Sequence, residues 1–246
     1  MIEMEVCANS VSSALEAQKG GAKRVELCAS LTEGGTTPSY AEIKLAKQLL
    51  HIEVYPIIRP RGGDFLYSEL EFELMKEDIK ICKELQCEGI VTGILTADGK
   101  VDKDRCAELV ELAKPMKAAF HRAFDMTVNM EEAMEDLISL GFIRILTSGG
   151  KATALDGAEQ LAKLIRKADQ RIAIMPGACV NTSNIQQLIS KTGAKEFHGS
   201  ARKNHSSKML FRNTELSMGN DADEYSSSLT DAELVKKLLE LANSAK

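Results

Sequence analysis

Eight short runs of β-type residues alternate with helical patterns along this chain, and that alternation limits the folds open to it. The runs lie at 2–7, 24–28, 52–58, 88–92, 116–121, 143–147, 171–175 and 195–199. Helical periodicity fills 10–19, 39–50, 68–85, 102–114, 129–140, 156–168, 182–191 and 230–244. The last helix opens on Thr230 and Glu233, a capping-box spacing, and Asn129 with Glu132 makes a similar start. Strand–helix alternation of this kind builds a parallel sheet, because parallel neighbours need a crossover. Eight such units in 246 residues fit one α/β domain, a TIM-like (β/α)8 barrel. A doubly wound open sheet is the rival, but it gives the residues below no common mouth. The expected division is a barrel over 1–202, with 203–246 as a C-terminal loop and terminal helix that complete or cover it.

Alternate residues of a barrel strand point inward. Strand one offers Glu3, Glu5 and Cys7 on one parity, with Met4 and Val6 on the other. Strand two offers Glu26 and Cys28 against Val25 and Leu27. The apolar sets suit the helices, so Glu-x-Cys points inward twice on adjacent strands. Strand three continues into Arg59 and Arg61, in phase with Tyr55 and Ile57. Strand eight ends in His198, Ser200 and Arg202. Acids from strands one and two are therefore expected to meet cations from strand three, since a buried acid needs a partner. A purely structural ion-pair layer closing the barrel is the alternative.

Strand five ends in FHRAFD, residues 120–125, which puts His121, Arg122 and Asp125 at one sheet edge. A surface loop with a local Arg122–Asp125 pair is the plain alternative. Glycine-bearing turns follow strand two (LTEGGTTPS, 31–39), strand three (RPRGGDF, 59–65) and strand six (Thr147, Ser148, Gly149, Gly150). All fall at C-terminal strand ends, where barrel enzymes build their sites. Strands seven and eight end near Gly177, Ala178, Gly199 and Ser200, where barrels often bind phosphate through backbone N–H groups. Pro176 removes one such donor.

A net charge of −5 and a pI near 5.6 argue against a nucleic-acid partner or an anionic membrane surface. No long apolar run or export signal is present, so a soluble, cytoplasmic protein is expected. Six scattered cysteines without a C-x-x-C pair should then be free thiols. Residues 203–229 show no periodicity. They carry Lys203, His205 and Lys208 early and Asp221, Asp223 and Glu224 late. A loop of that length is expected to fold over the mouth or to pack on a second copy in a homodimer.

These motifs resemble the CutC family, named for copper homeostasis. The resemblance rests on EVC at 5–7, the GGA-K-RVELC stretch at 20–28, EGGTTPS at 33–39, IRPRGGDF at 58–65, FHRAFD, LTSGG at 146–150 and HGSAR at 198–202. It runs from Glu3 to about Arg202 and departs at MPGACV, 175–180. It implies a single TIM-like barrel linked to copper handling. Cu(I) prefers soft thiolate ligands, and Cys7 and Cys28 are the cysteines that adjacent strands bring together. They are the expected metal ligands, with a pair of inert core thiols as the alternative. The charged mouth points instead to a lyase, isomerase or hydrolase acting on a small anionic substrate. In that case His121 is the base or acid, oriented by Asp125 or Glu26, with Glu5 and His198 in the same catalytic cluster. Arg59, Arg61 and Arg202 hold the anion, with Arg122, Ser148, Gly149, Gly177 and Ser200 as further contacts.

Overall fold

In a computed structural model, described for residues 1–213, 215, 216, 218 and 223–244, every run becomes a strand and every periodic stretch a helix. The barrel strands are β1 (Glu3–Ala8), β2 (Arg24–Leu27), β3 (Glu53–Pro56), β4 (Gly89–Thr92), β5 (Lys117–Phe120), β6 (Arg144–Thr147), β7 (Ala173–Pro176) and β8 (Glu196–Gly199). The helices are α1 (Val11–Lys19), α2 (Tyr40–Leu49), α3 (Glu69–Glu84), α4 (Lys103–Ala113), α5 (Met130–Leu140), α6 (Ala158–Ala168), α7 (Ile185–Thr192) and α8 (Ala232–Ser244). Short polar residues start them. Ser39 and Ser68 form capping boxes with Glu42 and Glu71, and Asn129 accepts the N–H groups of Glu131 and Glu132. No helix among the described residues is long and apolar enough to cross a membrane.

The strands pair in parallel as β3–β2–β1–β8 and β4–β5–β6–β7. Ile57 bridges Val91 between the two sets, with Ile58 N donating to Val91 O at 2.7 Å, and β7 lies beside β8 to complete the barrel. The register sets Glu5 beside Arg24 and His198, and Cys7 beside Glu26. The outward parity, with Met4, Val6, Val25, Leu27 and Val54, packs under the helices. The inward parity makes a second, smaller cluster of Cys7, Cys28, Tyr55, Ile57, Val91 and Ala119. The Tyr55 ring packs directly on Gly89, where an added Cβ would stand 2.2 Å from it.

Below that cluster lies a buried ion network. Arg24 donates to Glu5 at 2.7 Å and also to Glu196, which accepts from Arg144 at 2.5 Å. The acid of β1 thus meets a cation from β2, not from β3 as expected. Arg24 precedes Glu26 by two residues and shares its inward parity, and the parallel register places it level with Glu5.

The 203–229 stretch is not all irregular. Arg202–Ser206 (β9) and Ser226–Thr230 (β10) form an antiparallel hairpin, every residue of β9 being exposed. Asp221, among the late acids of that stretch, lies outside the described residues. Helix α8 begins one step later than the Thr230 cap implies. Asp231 caps it by accepting Leu234 N–H, while Thr230 ends β10 and donates to Ser200 O. Val235 of α8 packs against Gly20, where a Cβ would stand 2.5 Å away, so α8 seats on α1.

Candidate functional site

The C-terminal ends of the strands enclose a cavity of about 270 Å³. Its polar lining is Cys7, Glu26, Arg59, His121, Asp125 and His198, together with Arg122, and its apolar wall includes Ile57, Phe65, Met126 and Leu146. Cys7 reaches the cavity, and behind it the Sγ of Cys28 stands 3.6 Å from its own, both residues buried. Cys28 lies against Ala8 O at 3.5 Å. The contact with Cys28 and burial push the Cys7 thiol pKa well up. Donor atoms of Cys7, Glu26 and His198 lie within 4.8 Å of one another, a grouping that could hold a metal ion. The other described cysteines are free as well, with Cys179 alone exposed.

His198 stands between two acids. Its Nδ1 is 2.8 Å from Glu5 Oε1 and its Nε2 is 3.6 Å from Glu26 Oε2. Burial works against a charge on this ring, yet Cys7, Glu26 and Glu5 push its pKa well above the ordinary range. Burial likewise opposes a charge on Glu5, but the hydrogen bond with His198 and the Arg24 charge hold its pKa at about 2. Burial raises the Glu26 pKa, His198 offsetting only part of that, and Glu26 Oε1 has no hydrogen-bond partner. Glu5 is enclosed under the cavity and does not line it.

His121 caps the short turn Arg122–Met126, its Nδ1 accepting Ala123 N–H at 3.2 Å. Burial and the Arg59 charge lower its pKa to about 3. Asp125, expected to orient this ring, serves the β6 turn instead. Its carboxylate accepts from Thr147 Oγ1 at 2.5 Å and from the Ser148 and Gly150 N–H groups at 3.0 Å. Arg122 donates to Asp125 at 2.8 Å and to Ser148 Oγ at 3.1 Å, so the local pair read from the sequence exists and also ties down β6. Gly149 N–H is taken by Thr147 Oγ1, and Gly177 N–H by Thr147 O.

The two arginines of the third strand end separate. Arg59 is buried and donates to the carbonyls of Glu33, Gly35 and Gly63. Its guanidinium stacks 5.0 Å from Phe65. Arg61, two residues on, turns away to Glu71, Asp64 and the Tyr67 ring; both arginines lie past the end of β3, so strand parity does not relate them. Ser200 and Arg202 line a separate cleft beside α8, and Arg202 is exposed on β9. Arg24, Arg144 and Glu196 were missed by motif reading. Their inward parity within β2, β6 and β8 was the available signal. Phe65, which stacks on both Arg59 and His121, sits in a loop with no periodicity to mark it.

The CutC family model matches residues 2–203. The chain belongs to the CutC family. It is 46% identical over 241 residues to the copper homeostasis protein cutC homolog of Homo sapiens, covering 97% of this chain and 88% of that one. A CutC family protein from Parabacteroides distasonis is 51% identical over 236 residues, covering 95% of this chain and 97% of that one. A solved CutC structure from Streptococcus agalactiae superposes with a TM-score of 0.78 at 38% identity, over 81% of this chain and 99% of its own. Phosphoribosyl anthranilate isomerase from Thermotoga maritima shares the fold at a TM-score of 0.62 and 13% identity, with 99% of each chain covered. The fold is therefore a TIM-type barrel.

Proposed function

We propose that this CutC-family chain binds Cu(I) between Cys7 and Cys28 in the service of copper homeostasis. The observation that carries this is the 3.6 Å approach of two buried thiols from the ends of adjacent strands, one of them lining the mouth. The donors fit the ion. Cu(I) favours sulfur, the Glu26 carboxylate lies close to Cys7 as a further donor, and His198 joins the set only once its ring gives up a proton. Bound copper supplies a soft cation that only deprotonated thiols hold well. Burial keeps competing water away from both sulfurs. The test is Cu(I) affinity by chelator competition under reducing conditions, for the parent and for Cys7→Ser with Cys28→Ser. The double variant is expected to lose more than about 100-fold, beyond the effect of an outer-contact loss. Equal affinities rule out this pair.

A second function, an enzyme acting on a small anionic substrate, is favoured by a different observation. Glu26 Oε1, Arg59 Nε and His121 Nε2 are all buried without a hydrogen-bond partner, and all three residues line the same cavity. A buried unpaired polar atom costs about 1–3 kcal/mol, so three in one cavity point to a ligand that satisfies them. Turnover of a panel of small carboxylates and phosphate esters, followed by NMR, tests for it. No turnover of any member counts against it.

A further inference from the structure

The tautomer of His121 is fixed by its backbone. Nδ1 accepts Ala123 N–H at 3.2 Å, and an accepting imidazole nitrogen carries no hydrogen. The neutral ring therefore holds its hydrogen on Nε2, which is a donor, and Nε2 has no partner. The ring stays neutral because it is buried and stands near Arg59. A neutral imidazole that already uses its lone pair is not a base. It can polarise an oxygen placed against Nε2.

Arg59 supplies the second donor. Its terminal nitrogens are spent on three neutral carbonyls, and Nε makes no hydrogen bond, although the Tyr67 hydroxyl stands near the guanidinium. Among the described residues no carboxylate lies within ion-pair distance of it, whereas the other charges facing the cavity are offset. Arg122 is paired with Asp125, and His198 lies between Glu5 and Glu26. The cavity thus holds one uncompensated positive charge beside one neutral N–H. Several of the groups that would suit a phosphate are occupied. The N–H groups of Ser148 and Gly150 hold Asp125, those of Gly149 and Gly177 hold Thr147, and Arg61 holds Glu71. The rest of the wall is Ile57, Phe65, Met126 and Leu146, which suits a short alkyl chain.

We propose that the cavity binds a small 2-oxo acid, its carboxylate facing Arg59 Nε–H and its carbonyl oxygen accepting from His121 Nε2–H. This rests on the mouth being a small-molecule site, the binding half of the second function proposed above. It changes the part of His121 there from proton carrier to electrophile.

The experiment titrates pyruvate, acetate and inorganic phosphate at fixed ionic strength into the parent, His121→Phe and His121→Gln, each first shown to be folded by thermal unfolding. Imidazole nitrogen NMR is recorded alongside. Pyruvate is expected to bind about tenfold tighter than acetate, the effect of one added hydrogen bond. His121→Phe should erase that difference while acetate still binds, and His121→Gln, which keeps a donor, should restore part of it. The NMR should show hydrogen on Nε2 from pH 5 to 8, through any titration of Cys7, Glu26, Asp125 or His198 around the cavity. Absence of carboxylate binding, tighter binding of phosphate, a His121 ring that titrates in that range, or a pyruvate preference that survives His121→Phe would each overturn the proposal. Turnover of any panel compound at the parent rate by His121→Phe also overturns it but leaves the enzyme function standing. Pyruvate bound through His121 but never turned over supports the site while removing the enzyme.

Discussion

Glu5 shows how a side chain that reads as catalytic can be structural. It is buried between Arg24 and His198, and a carboxylate there is held charged by its partners against the cost of burial. Its folded pKa of about 2 lies below the ordinary 4.5. The stabilisation is therefore present above pH 4.5 and is lost as pH falls from 4.5 toward 2. Its size is on the order of 3 kcal/mol. Glu5→Gln is expected to lower stability at pH 7 by about that amount, because it leaves Arg24 and His198 without their buried anion. Urea unfolding at pH 7 and at pH 3 checks this, and the variant should show the weaker dependence on acid. An unchanged dependence would mean that another group governs acid unfolding. His198 works in the opposite sense. Its raised pKa gives stability that is full below 6.5 and fades as pH rises through the folded value.

At the scale of elements, the turn after β6 is shaped by a residue from the turn after β5. Asp125 accepts from Thr147, Ser148 and Gly150 and anchors Arg122, so two βα turns form one unit on the rim of the cavity. Removing the carboxylate strands several donors at once. Asp125→Ala is expected to cost about 2–4 kcal/mol in chemical denaturation, since each buried donor left unpaired costs about 1–3 kcal/mol. Arg122→Ala should cost under about 1 kcal/mol, because that guanidinium is half-exposed and screened. Equal losses would mean that the ion pair, and not the backbone cradle, holds the turn.

At the scale of the molecule, the barrel and the hairpin are separable in kind. The barrel buries its apolar parity under the helices, whereas β9 is exposed along its whole length. The hairpin joins the barrel at its base, where Asp231 N–H reaches Ala201 O and Thr230 N–H reaches Ser13 Oγ. Replacing 207–225 with an Asn-Gly turn keeps that base and a favoured hairpin connection. The shortened chain is expected to fold with a melting temperature within about 4 °C of the parent, a shift equivalent to about 1 kcal/mol. A larger drop, by calorimetry, would show that the removed segment covers part of the barrel.

The order of strands and helices was legible because it depends on local pattern. Apolar residues at period two, polar caps such as Ser39 and Asn129, and regular spacing leave few other ways to bury each apolar face. Inward parity placed Cys7, Glu26 and Cys28 on the barrel interior for the same reason. Register and the paths of loops were not legible, because they are set by contacts between residues far apart in the chain. Only the parallel register of β1 with β2 and β8 gave Glu5 to Arg24 and His198. Only the path of the loop after β3 decided that Arg59 stays with the cavity while Arg61 leaves it for Glu71. The turn after β5 gave Asp125 to β6 and fixed the His121 tautomer through a single backbone N–H. A side chain's charge and parity are written in the sequence, but the partner it meets depends on how distant backbone segments come to lie together.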